Sequence, residues 1–185
     1  IKLGKIQKLI IKRITKDGAF LNEENGINND VLLPLNQLSR SMQANDEIEV
    51  FVYIDSDDKI AATTQSVKIT LGEIAILRVM DLNKVGAFLD WGLDKQLFLP
   101  YAEQTYRVRK GDEVMVALYI DSTDRLCATM NVYEVLKSDS SYQTNDRVKG
   151  IIYQIHPQYG AFVAVDQRYH GLIPNKELYG NYAEG

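Results

Sequence analysis

The stretch Gly86-Ala87-Phe88 in the middle of this 185-residue chain recurs twice, as Gly18-Ala19-Phe20 and as Gly160-Ala161-Phe162. The copies start 68 and 74 residues apart (86 − 18 and 160 − 86). An apolar run that ends in proline follows each copy, so that three of the four prolines share one position: Val31-Leu32-Leu33-Pro34, Leu97-Phe98-Leu99-Pro100 and Leu172-Ile173-Pro174. Because both features recur in the same order, they indicate an internal repeat that decides how the chain divides.

A longer segment of the repeat occurs only twice. Residues 46–55 align with residues 112–121 at an offset of 66 (112 − 46), and both segments end in Tyr-Ile-Asp. The third copy has no counterpart, because the sequence stops at Gly185. We therefore predict three units, at residues 1–66, 67–137 and 144–185, with a polar linker at residues 138–143. We expect the third unit to be incomplete at its C-terminus.

Each unit shows the alternation of β-strands. Ile48, Val50 and Val52 alternate with other side chains at the period of two that is typical of a half-buried strand. Turn signals rich in glycine, asparagine and aspartate separate the apolar runs. No stretch of ten or more residues has a helical period, and at most one helical turn fits after each repeat proline. These features predict an all-β chain of tandem five-stranded barrels of the OB type, each with a short helical turn.

The aromatic residues of the repeat are the first candidate binding residues. Strand alternation places Phe20 on the same face as Asn22, and Phe88 on the same face as Asp90, which favours exposed rings. Phe98 belongs to the neighbouring strand. OB barrels use this part of their second and third strands to bind single-stranded nucleic acid or oligosaccharide, and exposed rings there stack on bases. The competing interpretation is that these phenylalanines pack at one end of the barrel.

These segments resemble the ribosomal protein S1 RNA-binding domain, in which Gly-(Ala/Val)-Phe-Val precedes an apolar run, a short helical turn and a strand pair that ends in an Asp-turn-Arg. Residues 86–93 and 97–100, together with residues 49–56 and 61–64, are similar to the bacterial conserved virulence factor B family. The resemblance covers essentially the whole chain. It implies consecutive S1-like domains, RNA binding in post-transcriptional control of gene expression, and a C-terminal winged-helix domain. We therefore expect the chain to be a fragment of a longer protein.

The resemblance also implies which residues contact RNA. In the family these are an aromatic residue before the glycine, the phenylalanine of Gly-Ala-Phe, a histidine at the end of the third strand, and an aspartate with a basic residue four positions later. The matching residues are Tyr159, Phe20, Phe88, Phe162, Asp55 with Lys59, and Asp121 with Arg125. Departures from the pattern occur at Asp17 and Val85 for the first aromatic residue and at Pro34, Pro100 and Pro174 for the histidine. They predict modest RNA affinity for a single barrel.

The charge of the chain points to local basic patches. A net charge of −4, from 21 basic and 25 acidic residues, gives no attraction of the whole chain to polyanions. Residues 1–16 nevertheless contain six basic residues and no acidic one. We take as candidate phosphate contacts Lys12, Lys16, Arg107, Arg109 and Lys110. The other interpretation is that these are solvated strand edges, where lysine prevents aggregation.

Other functional classes find little support in the sequence. Cys127 has no disulfide partner, and His156 and His170 have no metal-ligand spacing with it. No phosphate-binding loop or nucleophile motif occurs, so we predict a non-catalytic protein without cofactor or metal. No apolar run approaches the roughly 20 residues that cross a bilayer, and the single cysteine fits a reducing compartment, so we expect no membrane partner and a cytoplasmic location.

The sequence therefore predicts a monomer that binds single-stranded RNA, and single-stranded DNA non-specifically, as a bacterial regulator of RNA fate or translation. Two alternatives remain open at this point. One is a protein-interaction module whose barrels have lost their base contacts, which the departures at Asp17 and Val85 and the acidic balance would explain. The other is a nuclease that uses carboxylates on loops.

Overall fold

A computed structural model describes all residues, Ile1–Gly185, and divides them into two compact units. Unit 1 holds Ile1–Leu71, Gly92–Lys95 and Ile120–Leu126, and unit 2 holds Gly72–Trp91, Gln96–Tyr119 and Cys127–Gly185. The strands are β1 (Ile6–Thr15), β2 (Gly18–Asn22), β3 (Val31–Pro34), β4 (Glu47–Ile54), β5 (Ile60–Thr63), β6 (Ile74–Leu82), β7 (Gly86–Asp90), β8 (Leu97–Pro100), β9 (Glu113–Ile120), β10 (Leu126–Thr129), β11 (Gly150–His156), β12 (Gly160–Val165) and β13 (Tyr169–Pro174).

Helical structure is limited to single 3-10 turns. They span Leu35–Gln37, Tyr101–Glu103, Tyr133–Val135 and Asn175–Glu177. Three of them begin directly after a repeat proline, because proline fixes its own backbone and cannot continue the ladder of the preceding strand. The predicted all-β class with a short helical turn in each repeat is confirmed. No helix in the chain has the length and apolar character that crossing a membrane requires.

The first repeat forms a closed barrel in unit 1. Its strand order is β1-β2-β3-β5-β4, and β4 pairs with β1. All pairs are antiparallel except β3 with β5, which are joined in parallel where Leu32 faces Ala61. Alternate side chains point inward, as a period of two requires. The core consists of Leu9, Ile11, Ala19, Leu21, Val31, Leu33, Ile48, Val50, Val52 and Ala62.

Gly18 allows β2 and β3 to approach each other at the start of their pairing. Its φ of +144° lies in a region that side chains disfavour, and a Cβ atom here would lie 2.1 Å from the carbonyl oxygen of Leu33. The register therefore starts with Gly18 opposite Pro34, which places Ala19 in the core and Phe20 on the outer face.

Asn22 differs from the sequence-based expectation of an exposed side chain, because it is 3% exposed. Its Nδ2 donates to the carbonyl oxygen of Asn28 and to Oδ1 of Asp30, both at 2.8 Å, and its Oδ1 accepts the N–H of Glu23 at 2.8 Å. Every polar atom of the amide is thus satisfied, which is the condition for burying it. Asn22 therefore holds the loop between β2 and β3 in place.

Unit 2 contains most of the second repeat and the whole of the third. The second repeat is a five-stranded sheet in the order β10-β9-β6-β7-β8, which matches the order of the first repeat strand for strand. The third repeat is a three-stranded antiparallel sheet in the order β11-β12-β13. Together with the closed first barrel, these sheets confirm tandem OB-type units as the architecture.

An apolar cluster joins the second and third repeats within unit 2. It combines Met115 and Ala117 of β9 with Val132, Leu136, Tyr153 and Ala164, and Phe162 packs against it. A parallel bridge joins Lys137 to Tyr169, and the ring of Tyr142 meets that of Tyr169 edge-on at 6.1 Å. The Tyr142 hydroxyl also donates to Asp166. The predicted linker at residues 138–143 therefore makes tertiary contacts at its end. The predicted domain boundaries stay a prediction.

Tyr153 supplies a stability test of this cluster. Its side chain is 3% exposed, its hydroxyl has no hydrogen-bond partner, and burial raises the pKa of this hydroxyl to about 12. An unsatisfied buried hydroxyl costs about 1–3 kcal/mol. We expect Tyr153→Phe to increase the free energy of unfolding by about 1 kcal/mol in urea denaturation. The control is Tyr179→Phe, because Tyr179 is 78% exposed and should be neutral. A clear loss of stability in Tyr153→Phe would contradict the conclusion that the buried Tyr153 hydroxyl has no hydrogen-bond partner.

Candidate nucleic-acid interface

The second repeat carries a pair of aromatic rings on its outer face. Phe88 of β7 and Phe98 of β8 are directly opposite each other in the strand register. Their ring centroids are 5.4 Å apart at an interplanar angle of 32°, and both side chains are half-buried. A Cβ atom at Gly86 would lie 2.7 Å from Cε2 of Phe98, so only glycine leaves room for this ring. Both phenylalanines are binding candidates in the sequence, and the structure brings them together.

The surroundings of this pair combine exposed apolar and acidic groups. Asp81 of β6 faces Phe88 across the strands. Val85, at the position of the family's first aromatic residue, is 53% exposed. Tyr101, which the sequence analysis did not single out, follows β8 directly, and its hydroxyl donates to the carbonyl oxygen of Asn83 at 2.6 Å. The second repeat therefore presents two paired rings with an acidic and an exposed apolar residue nearby.

Phe20 in the first repeat has a different environment. The guanidinium carbon of Arg13 lies 4.0 Å from the centroid of the Phe20 ring, which is the geometry of a cation–π contact. Arg13 also forms an ion pair with Asp30 at 2.5 Å. Hydrogen bonds from Asn22 and then from Arg13 lower the pKa of the Asp30 carboxyl. Asp30 therefore holds in place the Arg13 guanidinium that covers one face of the Phe20 ring.

Phe162 in the third repeat is surrounded by other rings. The centroids of Tyr153, Tyr133 and His156 lie 6.2, 6.3 and 6.4 Å from that of Phe162. Tyr159, which the sequence analysis named with Phe162, is 55% exposed, and its centroid lies 4.7 Å from that of His156. The structure thus links the two named residues through His156. Neither histidine was a sequence-based candidate, nor was Tyr133.

The two aspartate-and-base pairs form the turns between the last two strands of their repeats. In the first, Oδ1 of Asp55 accepts the N–H groups of Asp57 and Lys59 at 2.9 and 3.0 Å. In the second, Oδ1 of Asp121 accepts the N–H and hydroxyl of Thr123 and the N–H of Arg125, at distances from 2.7 to 3.0 Å. The guanidinium of Arg125 holds Oδ2 of Asp121 through two bonds, at 3.0 and 3.2 Å. Asp121 and Arg125 thus neutralise each other.

Several predicted phosphate contacts keep their charge available. Arg107, Arg109 and Lys110 are exposed and form no ion pair, and the N–H of Arg109 donates to Oδ2 of Asp112 at 2.8 Å. Lys16 is exposed without a partner, and Lys12 donates only to the carbonyl oxygen of Glu24 at 2.6 Å. Other residues of the basic N-terminal segment are neutralised, because Lys8 pairs with Glu47 at 2.8 Å and Arg13 pairs with Asp30 at 2.5 Å.

The side chains that could ligate a metal are dispersed. The chain contains no group of three or more histidine, cysteine, aspartate or glutamate side chains in a position to hold a metal ion. Cys127 is buried as a free thiol. The candidate interface consists of aromatic rings and separate cationic side chains, the two kinds of group that contact bases and phosphates in single-strand binding.

The Asp121 turn gives a pH-dependent prediction. Hydrogen bonds from the Thr123 hydroxyl and the Arg125 N–H hold the pKa of Asp121 well below its ordinary value. A carboxylate with a lowered folded-state pKa stabilises the fold above its unfolded value of about 4, and this stabilisation is lost as the pH falls below that value.

We therefore expect Asp121→Asn to lower the free energy of unfolding at pH 7, and the difference from the unsubstituted chain to shrink as the pH falls from 4 towards 2. Denaturant titrations of both chains over this pH range measure the difference in their free energies of unfolding. Asp57→Asn is the control, because the carboxylate of exposed Asp57 accepts no hydrogen bond. If the difference in the free energy of unfolding stays constant with pH, the charge of Asp121 is not the cause of the stabilisation.

Comparison with protein families assigns every repeat. The model of a family described as S1 domain matches residues 3–65 and 71–131, and that of a family described as S1 RNA binding domain matches residues 141–182. The chain is 28% identical over 173 residues to the uncharacterized protein YitL of Bacillus subtilis (strain 168), covering 88% of this chain and 56% of YitL. It is 22% identical over 189 residues to Conserved virulence factor B of Staphylococcus aureus (strain N315), covering 95% of this chain and 61% of that protein.

A solved structure has the same fold. It is that of a multidomain protein with nucleic acid binding domains from Streptococcus pneumoniae TIGR4, with a TM-score of 0.61 at 21% sequence identity, over 98% of this chain and 65% of that one. The chain thus spans less than two thirds of the length of each of these three relatives. The resemblance seen in the sequence is confirmed by the family matches, which cover most of the repeats. The chain belongs to the S1 domain family.

Proposed function

We propose that this chain binds single-stranded RNA without catalysing a reaction on it. The observation that carries the proposal is the ring pair of Phe88 and Phe98 on the second and third strands of the second repeat. This is the part of an OB barrel that binds single strands. Both rings are half-buried at a centroid distance of 5.4 Å, so their positions are fixed before a ligand arrives. Each base that stacks on such a ring contributes about 1–3 kcal/mol.

The unpaired cations support the proposal on the electrostatic side. Arg107, Arg109 and Lys110 belong to the same repeat as the ring pair and are exposed. Phosphate contacts depend on local positive charge, so a net charge of −4 limits affinity without excluding RNA. Asp81 opposite Phe88 acts against phosphate at that point. We infer that bases of the RNA stack on the rings while its phosphates bind the exposed cations Arg107, Arg109 and Lys110.

Linkage between repeats compensates for modest affinity in each. A second site on the same chain meets its ligand at an effective concentration near millimolar when the connection is short. An RNA that spans two repeats should therefore bind more tightly than one that covers a single repeat. Affinity should also fall as salt concentration rises, because counterions are released from the phosphates on binding.

We further propose that the chain acts as a bacterial regulator of RNA fate or translation in the cytoplasm, as a monomer. The support is its similarity over 95% of its length to Conserved virulence factor B of Staphylococcus aureus. The three units proposed to carry this function are residues 1–66, 67–137 and 144–185.

The test is fluorescence anisotropy with labelled single-stranded RNAs of graded length at several salt concentrations. We expect Phe88→Leu combined with Phe98→Leu to weaken binding about tenfold or more, because leucine keeps the apolar volume but cannot stack. The control is Tyr179→Leu, which removes an exposed ring outside the strands. Affinity that depends on neither RNA length, salt nor the two phenylalanines would contradict the proposal and favour a protein-interaction module.

A further inference from the structure

One residue on the first strand of each repeat faces the phenylalanine of Gly-Ala-Phe, and we call it the facing residue. Its chemical type differs between the repeats. The strand register defines three such pairs: Arg13 with Phe20, Asp81 with Phe88, and Gln154 with Phe162. All three facing residues are exposed, and each carries a different set of hydrogen-bonding groups. The position therefore combines a fixed place beside the ring with a variable chemistry.

A β-bulge precedes the facing residue in every repeat. In all three, the pairing of the first two strands shifts its register directly before this residue. Bulges re-aim side chains and are common beside binding sites. Side chains that are directly opposite each other in neighbouring antiparallel strands have Cβ atoms about 4.5–5.5 Å apart. The facing residue is thus held within side-chain reach of the phenylalanine.

The first repeat shows this reach directly. The guanidinium carbon of Arg13 lies 4.0 Å from the centroid of the Phe20 ring, which it covers. Asp81 occupies the same position in the second repeat, but its side chain is too short to lie over a ring as that of arginine does. The face of Phe88 therefore stays open to a base, with a carboxylate beside it.

Asp81, Phe88 and Phe98 form one row across β6, β7 and β8. The register places Asp81 opposite Phe88 and Phe88 opposite Phe98. Neighbouring strands lie about 4.8 Å apart, so the row extends over about 10 Å. The two rings occupy one end of the row, with their centroids 5.4 Å apart, and the carboxylate occupies the other. A base that stacks on the rings therefore has Asp81 at one of its edges.

The carboxylate of Asp81 has free acceptor sites. Its Oδ1 accepts the N–H of Leu82 at 2.9 Å, which restricts the orientation of the group. Its Oδ2 has no partner in the chain, and Oδ1 retains a second acceptor site. The nearby amide of Asn83 is already occupied, because its Oδ1 accepts the N–H groups of Val85 and Gly86 at 2.8 and 3.2 Å.

A carboxylate discriminates between unpaired bases by the donors that it meets. Ionised aspartate only accepts hydrogen bonds, and its two oxygens can take two parallel donors. The Watson–Crick edge of guanine presents N1–H and the 2-amino group side by side. Cytosine and adenine present one amino group next to an acceptor nitrogen, and uracil presents one N–H between two carbonyl oxygens. Guanine is therefore the base that satisfies both carboxylate oxygens without placing an acceptor against them.

We propose that Asp81 makes the second repeat selective for guanine, by accepting the N1–H and the 2-amino group of a base that stacks on Phe88 and Phe98. The inference rests on the proposed RNA binding and names the base that this site prefers. It also explains why an acidic side chain stands beside the rings, where its charge alone would oppose the phosphates of RNA.

The test is fluorescence anisotropy with labelled uridine decamers that carry one guanosine, adenosine or inosine at the centre. Adenosine is the reference, because it stacks as a purine but lacks the two adjacent donors. We expect the guanosine decamer to bind at least about fivefold more tightly than the adenosine decamer, since a bidentate contact to a base discriminates by this factor or more. Inosine lacks the 2-amino group and should lose most of the preference.

Asp81→Asn tests the carboxylate itself. Asparagine keeps the size of the side chain and the oxygen that accepts the N–H of Leu82, but it replaces the other oxygen by a donor. The ratio of the guanosine and adenosine affinities should therefore fall to about one. The control is Asp139→Asn, which removes the same charge from an exposed residue of the linker and should leave the ratio unchanged. Because the readout is a ratio, a uniform effect of charge on RNA affinity cancels.

The outcomes separate this inference from the proposed function. Equal affinity for the guanosine and adenosine decamers, in complexes that still depend on Phe88 and Phe98, would overturn the inference while leaving the proposed function standing. A guanosine preference that persists in Asp81→Asn, or that inosine retains in full, would also overturn it. Absence of RNA binding by the unsubstituted chain would overturn both.

Discussion

The close approach of the second and third strands of each repeat is the constraint on which the rest of the structure depends. A Cβ atom at Gly18, Gly86 or Gly160 would lie 2.1 to 2.4 Å from the carbonyl oxygen of the facing strand. The glycine therefore starts the same register three times, with proline opposite glycine and an apolar residue, Leu33, Leu99 or Ile173, opposite alanine. Because side chains alternate along a strand, the next residue, phenylalanine, must point outward.

The three outward phenylalanines occupy the same strand position in their repeats but have different neighbours. The residue that faces each of them on the preceding strand is Arg13, Asp81 or Gln154. Arginine covers its ring with a cation, whereas the second repeat pairs its ring with a second phenylalanine. In the third repeat the ring is enclosed by neighbours and the exposed aromatic groups are tyrosines. One scaffold thus supplies distinct surfaces, and we propose that the second and third repeats contribute most of the base stacking.

The features that the sequence predicted are those that depend on local order along the chain. The repeat was visible because the same short motifs recur in the same order, and the strand alternation around Ile48 and the turn containing Asp121 involve neighbours within a few residues. The contacts that it did not predict join distant segments. Arg13 meets Asp30 across 17 residues, and Tyr133 meets His170 only because a buried cluster brings their segments together. Asn22 was expected outside because alternation alone cannot show that a loop folds back to satisfy its amide.

The central claim is that RNA bases stack on the aromatic residues of the second and third repeats. Ultraviolet crosslinking of the chain to single-stranded RNA, followed by mass spectrometry of the crosslinked peptides, tests it most directly. The account predicts crosslinks at Phe88 or Phe98 and at Tyr159, and fewer at Phe20, whose ring is covered by Arg13. Crosslinks that avoid these three residues, or that concentrate in the lysine-rich segment of residues 1–16, would contradict this prediction.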